Sequence, residues 1–205
     1  MNSLDEHYRK QGFKLICGID EAGRGPWAGP VFVAAVILPA DHGIIGLDDS
    51  KKLSPKRREK LFEEIIKKAI SYSVVSISNL QIDKTDILKA TKLGMQKAVK
   101  NLKIQSDLIL IDAININLPE ICQVNLIKGD SRSESIAAAS ILAKVSRDRH
   151  MMQMHKKYPV YNFCSHKGYG TREHEEALRK YGPCAIHRFS FEPVRELMSV
   201  DECNF

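Results

Sequence analysis

No run of apolar residues in this chain is long enough to cross a bilayer. The longest, Val31 to Leu38, has eight residues, against the roughly 20 that a membrane helix needs. The opening stretch, MNSLDEHYRKQGFK, is polar and lacks the apolar centre of a secretory signal. A cytoplasmic location and no membrane partner are therefore expected. Cysteine is scarce: Cys17, Cys122, Cys164, Cys184 and Cys203 are odd in number and form no C-x-x-C pair. That spacing argues against a disulfide framework and against structural zinc. Cys17 and Cys122 have apolar surroundings and are expected in the core. Internal repeats, low-complexity tracts and an evident interdomain linker are also missing. So is the Gly-Lys-Ser/Thr of a phosphate-binding P-loop.

What remains is an ordinary folding composition, with 43% hydrophobic and 27% charged residues among 205. One domain over 1–205 is expected, with a helical appendage from about residue 168. Lys and Arg outnumber Asp and Glu by 31 to 25, a net charge of +6 that leans mildly toward a polyanionic partner. Basic residues gather at Lys51–Lys60, Lys144–His150 and His155–Tyr158. Each cluster taken singly reads equally well as a solvated helix face.

Apolar and alternating runs predict strands at Lys14–Ile19, Val31–Leu38, Tyr72–Ser78, Leu108–Ile111 and Val124–Ile127. Ser54-Pro55 reads as an N-cap followed by a helix-starting proline. Leu61, Ile65 and Ile66 follow at helical spacing. Further helices are expected from Asp86 to Val99, with Ile87, Leu88, Leu93 and Val99 inward, from Glu134 to about His155, and from Arg172 to Tyr181. Three early, closely spaced strands suggest an antiparallel meander, and later strands alternating with helices suggest parallel additions. The expected fold is α/β, a mixed five-stranded sheet with flanking helices and a C-terminal helical extension.

Carboxylates stand where three predicted strands end. Asp20 and Glu21 follow Ile19, Asp112 follows four apolar residues in LILID, and Asp130 follows a short strand and a glycine. If those strands are neighbours, four acids meet at one sheet edge and require counter-charge. An all-oxygen ligand set favours Mg²⁺ or Mn²⁺ over zinc, and two such ions suit a phosphoryl displacement. Taken singly, Asp112 or Asp130 reads as well as a turn or cap residue. Directly after the first acids comes Gly23-Arg24-Gly25, bare backbone that can approach a ligand closely. Pro26 and Pro30 keep a helix from opening there, which rules out a dinucleotide fingerprint. Naked backbone beside metal acids suits a sugar–phosphate chain, whose 2′-hydroxyl separates RNA from DNA.

Five segments, in order, resemble the bacterial ribonuclease HII family: GIDEAGRGPWAGPV, DDSKKLS, LIDAIN, KGDSRSESIAAASILAKVSRDR and HKGYGT, within about Ile16 to Val194. The resemblance implies an RNase H-like fold. It also implies cleavage of the RNA strand of RNA–DNA hybrids and nicking of duplex DNA 5′ to an embedded ribonucleotide, leaving 3′-hydroxyl and 5′-phosphate ends. Asp20, Glu21, Asp112 and Asp130 match the family's metal-binding carboxylates. Gly23, Arg24 and Gly25 match its 2′-hydroxyl-reading loop, and Tyr169 matches the supporting tyrosine. Two departures stand out: Ala113 where glycine is usual, and Trp27 where a smaller aliphatic is common. A monomer is expected.

Lys51, Lys144 and Arg172 are candidate phosphate contacts, equally readable as solvated or salt-bridged. Asp148, between Arg147 and Arg149, reads as a structural ion-pair partner. Ile136–Ser140 reads as a small-residue helix face that packs close to the sheet. His166 and His187 lack partners at metal-ligand spacing. Two other readings stay open. One is ribonuclease HIII, which usually carries a further N-terminal domain, whereas only about thirteen residues precede the first strand here. The other is a non-catalytic nucleic-acid-binding module, which would need the basic patches but not the acids.

Overall fold

A computed structural model describes residues 4–112, 114–127 and 129–199. Ala113 and Cys203, named above, and Lys128, the first residue of the KGDSRS segment, lie outside the described residues. Five strands form one sheet: β1 (Ile16–Ala22), β2 (Val31–Ile37), β3 (Ser71–Ile77), β4 (Leu108–Asp112) and β5 (Cys122–Leu126), in the order β3-β2-β1-β4-β5. The first three pair antiparallel, and β4 and β5 are added parallel on the other side of β1, as expected. The helices are α1 (Leu4–Lys10), α2 (Pro55–Lys68), α3 (Asn79–Lys84), α4 (Ile87–Lys100), α5 (Glu134–Lys157), α6 (Phe163–His166), α7 (Arg172–Tyr181) and α8 (Glu192–Ser199). None of the described helices is long and apolar enough to cross a membrane.

Strand alternation divides the core between the two faces of the sheet. Cys17, Ile19, Val33, Ala35 and Ile37 pack with Met95, Ala98 and Val99 of α4. Ala34 and Val36 pack with α2 and with Ala138, Ala139 and Leu142 of α5. Helix α5 lies directly on β1, because a Cβ on Gly18 would stand 2.0 Å from the Ser135 carbonyl carbon. Small residues at the start of α5 permit that approach. Ser54 accepts from the Arg57 amide with Pro55 at the first turn, and Ser133 and Asp86 cap α5 and α4 in the same way. Asp5 of α1, a helix the sequence pattern did not announce, is buried and accepts from the Glu134 and Ser135 amides.

Several expectations need correction. Strand β1 runs three residues past Ile19, since β2 continues to pair it: Asp20 lies opposite Ala34, and Glu21 opposite Val33. Ser78 caps α3 instead of ending β3. Leu88 is exposed, because α4 meets the sheet through Ala90, Thr91, Gly94, Met95 and Ala98. A Cβ on Gly94 would stand 2.8 Å from Val33 Cγ2, so close contact selects small residues and leaves bulky ones at the flanks. Cys17 is fully buried, its thiol pushed up to about 12 by burial. Cys122 is exposed, because β5 is an edge strand.

Candidate active site

Register decides which acids meet. Ile19 of β1 pairs with Ile111 of β4, so the next residues, Asp20 and Asp112, leave adjacent strands side by side. By alternation both fall on the α5 face. Glu21 falls on the opposite face at the same edge. Asp130 sits in a single 3-10 turn, Gly129–Ser131, after β5. An open cleft of about 460 Å³ is lined by Asp20, Glu21, Gly23, Arg24, Gly25, Ser50, Lys51, Ser140, Lys144 and Tyr169, among others. Asp130 lines the adjoining hollow with Asp48 and Lys52. Arg172 stands apart, 2.8 Å from Glu176 and otherwise in solvent.

The electrostatics record how closely the acids face one another. Burial, then the Glu21 charge, holds the Asp20 carboxyl well above its ordinary range, and Asp130 adds to the effect. The Ser140 hydroxyl and the Glu21 amide (2.8 Å from Asp20 Oδ1) offset only part of this. Glu21 is also raised by burial and by Asp112, against the lowering effect of Arg24, whose Nη1 lies 3.4 Å from Oε1. Asp130 is raised by burial, Asp49 and Asp112. Lys51 faces both Glu21 and Asp130 and lowers each. Asp112 Oδ1 is buried with no hydrogen-bond partner among the described residues, a costly arrangement unless a ligand completes it. The described residues do not, however, already gather three side chains at metal-coordinating distance.

Two sequence candidates carry other partners. Lys144 donates to Asp148 at 2.7 Å, and burial pushes its ammonium down. Asp148 is an ion-pair partner as expected, but of Lys144 and Arg58. Arg149 pairs instead with Glu59 and Glu63. Sequence reasoning missed Ser50 and Ser140, whose hydroxyls lie 2.9 Å apart beneath Asp20. The one available signal was a serine in the otherwise apolar IAAAS face.

The loop after β1 is fastened to the C-terminal segment. Trp27 N donates to Gly168 O, Gly29 N to Ile186 O and Arg188 N to Trp27 O, each at 2.8 Å. Tyr169 projects into the cleft against Gly25, where a Cβ would lie 3.8 Å from its ring. Trp27 covers Gly170 so closely that a Cβ there would overlap the indole. His166, His174 and His187 pack together behind it, with 3.0 Å between the Nε2 atoms of His174 and His187.

Comparison with known proteins agrees with this architecture. The family model described as ribonuclease HII matches residues 17–194. Ribonuclease HII of Caldicellulosiruptor bescii is 55% identical over 188 residues, covering 92% of this chain and 91% of that protein. The Caldicellulosiruptor saccharolyticus protein of the same name is 56% identical over 191 residues, covering 92% of each. Among solved structures, ribonuclease H2 from Pyrococcus horikoshii superposes with a TM-score of 0.79 at 27% identity, covering 92% of this chain and 99% of that one. A ribonuclease HIII solved with Mn²⁺ gives 0.72 at 19% identity, over 93% of this chain and 71% of its own, and shows the common fold alone.

Proposed function

The chain belongs to the ribonuclease HII family, an enzyme family, and from that premise we propose a metal-dependent endonuclease acting on RNA joined to or paired with DNA. Its substrates are the RNA strand of RNA–DNA hybrids and duplex DNA containing single ribonucleotides, nicked to leave 3′-hydroxyl and 5′-phosphate ends.

The observation that carries this reading is the orphaned Asp112 Oδ1 beside Asp20 at the sheet edge. A buried carboxylate oxygen without a donor among the described residues, beside acids raised by burial and then by one another, fits a hard divalent cation. Asp20, Glu21, Asp112 and Asp130 would hold Mg²⁺ or Mn²⁺, two ions during catalysis. Bound divalent ions supply neutralisation of the acids and of charge developing on the phosphodiester. The chain's own groups do the rest. Ser140 and the Glu21 amide orient Asp20, and Lys51 brings positive charge toward a phosphate. Bare backbone at Gly23–Gly25, with Tyr169 against it, meets the ribose on the 3′ side of the cut. A binding module without chemistry would need the lysines but not four converging acids.

The test offers wild-type protein a continuous hybrid, a DNA duplex with one ribonucleotide and an all-DNA duplex, each with Mg²⁺, Mn²⁺ or chelator. Cleavage of the first two alone, abolished by chelation, is expected. Undiminished cleavage after exhaustive chelation and dialysis would remove the metal from the account.

A further inference from the structure

Two arginines are among the most deeply buried large side chains of the molecule: Arg147 is 1% exposed and Arg188 0%. Neither forms an ion pair among the described residues. Both instead donate to carbonyls of the loop after β1. Arg188 reaches Gly23 O with Nη2 at 2.6 Å, Arg24 O with Nη1 at 2.8 Å and Gly29 O with Nε at 2.9 Å. Arg147 reaches Pro30 O with Nε at 3.2 Å and Ala28 O with Nη2 at 3.1 Å. Gly23, at φ +99°, lies on the Arg147 guanidinium so closely that a Cβ would stand 2.1 Å from Nε.

This bed fixes the direction of the loop's peptide units. A trans peptide sets its C=O and N–H on opposite sides, and no cis bond occurs among the described residues. With the Gly23 and Arg24 carbonyls turned onto Arg188, the Arg24 and Gly25 amides point the other way. Both residues line the cleft, and neither amide donates to an acceptor among the described residues. The result is a pair of successive donors held outward beside the acids. An uncompensated buried cation is costly, so the Arg188 guanidinium resists any rotation of these units that withdraws the Gly23 and Arg24 carbonyls. Arg147 holds the Ala28 and Pro30 carbonyls further along the same loop. Lysine, a single ammonium on a flexible stem, does not reproduce a fork across three carbonyls.

We propose that Arg188, supported by Arg147, is a positioning residue for sugar discrimination, aiming the Arg24 and Gly25 amides at a ribose 2′-oxygen. The proposal rests on the reading that the Gly23–Gly25 loop meets that sugar. Neither arginine touches substrate. Their effect should appear as selectivity, not as general activity.

The experiment compares wild type, Arg188→Lys and Arg147→Lys by kcat/KM on a single-ribonucleotide duplex and on a continuous hybrid. Thermal unfolding and the fluorescence of Trp27, the one tryptophan, are followed alongside, because Trp27 O accepts from the Arg188 amide. Arg188→Lys is expected to lose about tenfold more on the single-ribonucleotide duplex than on the hybrid, the worth of about one good hydrogen bond. Arg147→Lys should move the ratio the same way by less. Equal losses on both substrates, or none, overturn the proposal and leave the arginines as packing. Should Arg188→Lys fail to fold, the Arg147→Lys ratio decides on the same terms. A second readout avoids turnover: in an Asp20→Asn background, the affinity preference for one-ribonucleotide duplex over all-DNA duplex should shrink when Arg147→Lys is added. If wild type itself ignores a single ribonucleotide, the loop reading fails first, which separates that failure from a failure of the arginines.

Discussion

The sheet edge and the floor beneath the adjoining loop hold charge in opposite ways. At the edge, β1 and β4 bring carboxylates side by side, and burial with mutual repulsion raises Asp20, Glu21 and Asp130. At the floor, Arg147 and Arg188 are buried more deeply than these acids, and burial lowers them to about 10 and about 9, still cationic at neutral pH. Arg188 is satisfied by three carbonyls and Arg147 by two, its Nη1 left unpartnered among the described residues. Asp112 Oδ1 is likewise unpartnered among them, but it stands among charges of its own sign. His174 and His187, also in the floor, are driven to about 4 by burial and pair with each other as neutral rings. The difference teaches where ligand chemistry belongs. Cations bonded to backbone carbonyls build a rigid support, and like charges gathered at one edge call for counter-charge from outside.

The largest effect expected from breaking this contrast lies at the edge. Asp20→Asn or Glu21→Gln should lower kcat on hybrid substrate by about 100-fold or more, while duplex affinity holds or rises, since phosphate contacts come from other residues. A variant keeping a tenth of wild-type kcat, a barrier change of only ~1.4 kcal/mol, would show that these acids are not the metal site. Next comes the junction of the two regions. Tyr169→Ala should cost roughly 5- to 150-fold in kcat/KM on a single-ribonucleotide duplex, about 1–3 kcal/mol, and less on a continuous hybrid. Equal losses would make Tyr169 a general packing residue.

Smaller effects concern stability and have opposite signs in the two regions. A carboxyl raised in the folded state is stabilising while protonated, and that contribution is lost as pH rises through its folded value. At neutral pH the metal-free edge therefore opposes folding. Asp20→Asn should raise the metal-free melting temperature by about 2–4 °C, the equivalent of ~1 kcal/mol in a chain of this size. Saturating Mg²⁺ should stabilise wild type more than the variant. A lowered melting temperature would mean that the edge is not under electrostatic strain. The histidines run the other way, because a lowered folded pKa gives stability that is complete above the unfolded value near 6.5 and declines toward about 4. In the Asp20→Asn background, the urea midpoint should fall from pH 7 to pH 5, and His187→Gln should flatten that slope. An unchanged slope would detach it from the histidine pair.

Much of this was legible in the chain, though unevenly. Helices α2, α5 and α7 and all five strands follow from caps, prolines and apolar runs, because those signals are local. At Leu88 side-chain size misleads as a guide to burial, because Gly94 and Ala98 make the contact. Cys122 was misplaced because nothing local marks β5 as an edge. Among the site residues, Asp20, Glu21 and the glycine loop stand together in sequence. Asp112 and Asp130 could be added only on the supposition that their strands are neighbours. Arg147 belongs in sequence to a basic cluster that suggests a solvated face, yet it is buried. Arg188 carried no signal at all.

The sequence by itself determined the strand and helix content, the five family segments and the set of acids, since each depends on residues close along the chain or on their order. Tertiary structure alone decided which charges would be neighbours. Register places Asp20 beside Asp112 from 92 positions away. The fold also carries Arg188 back across 165 positions to the Gly23 carbonyl. Burial and charge pairing are properties of distance in space, and a buried guanidinium and an exposed one are written with the same letter.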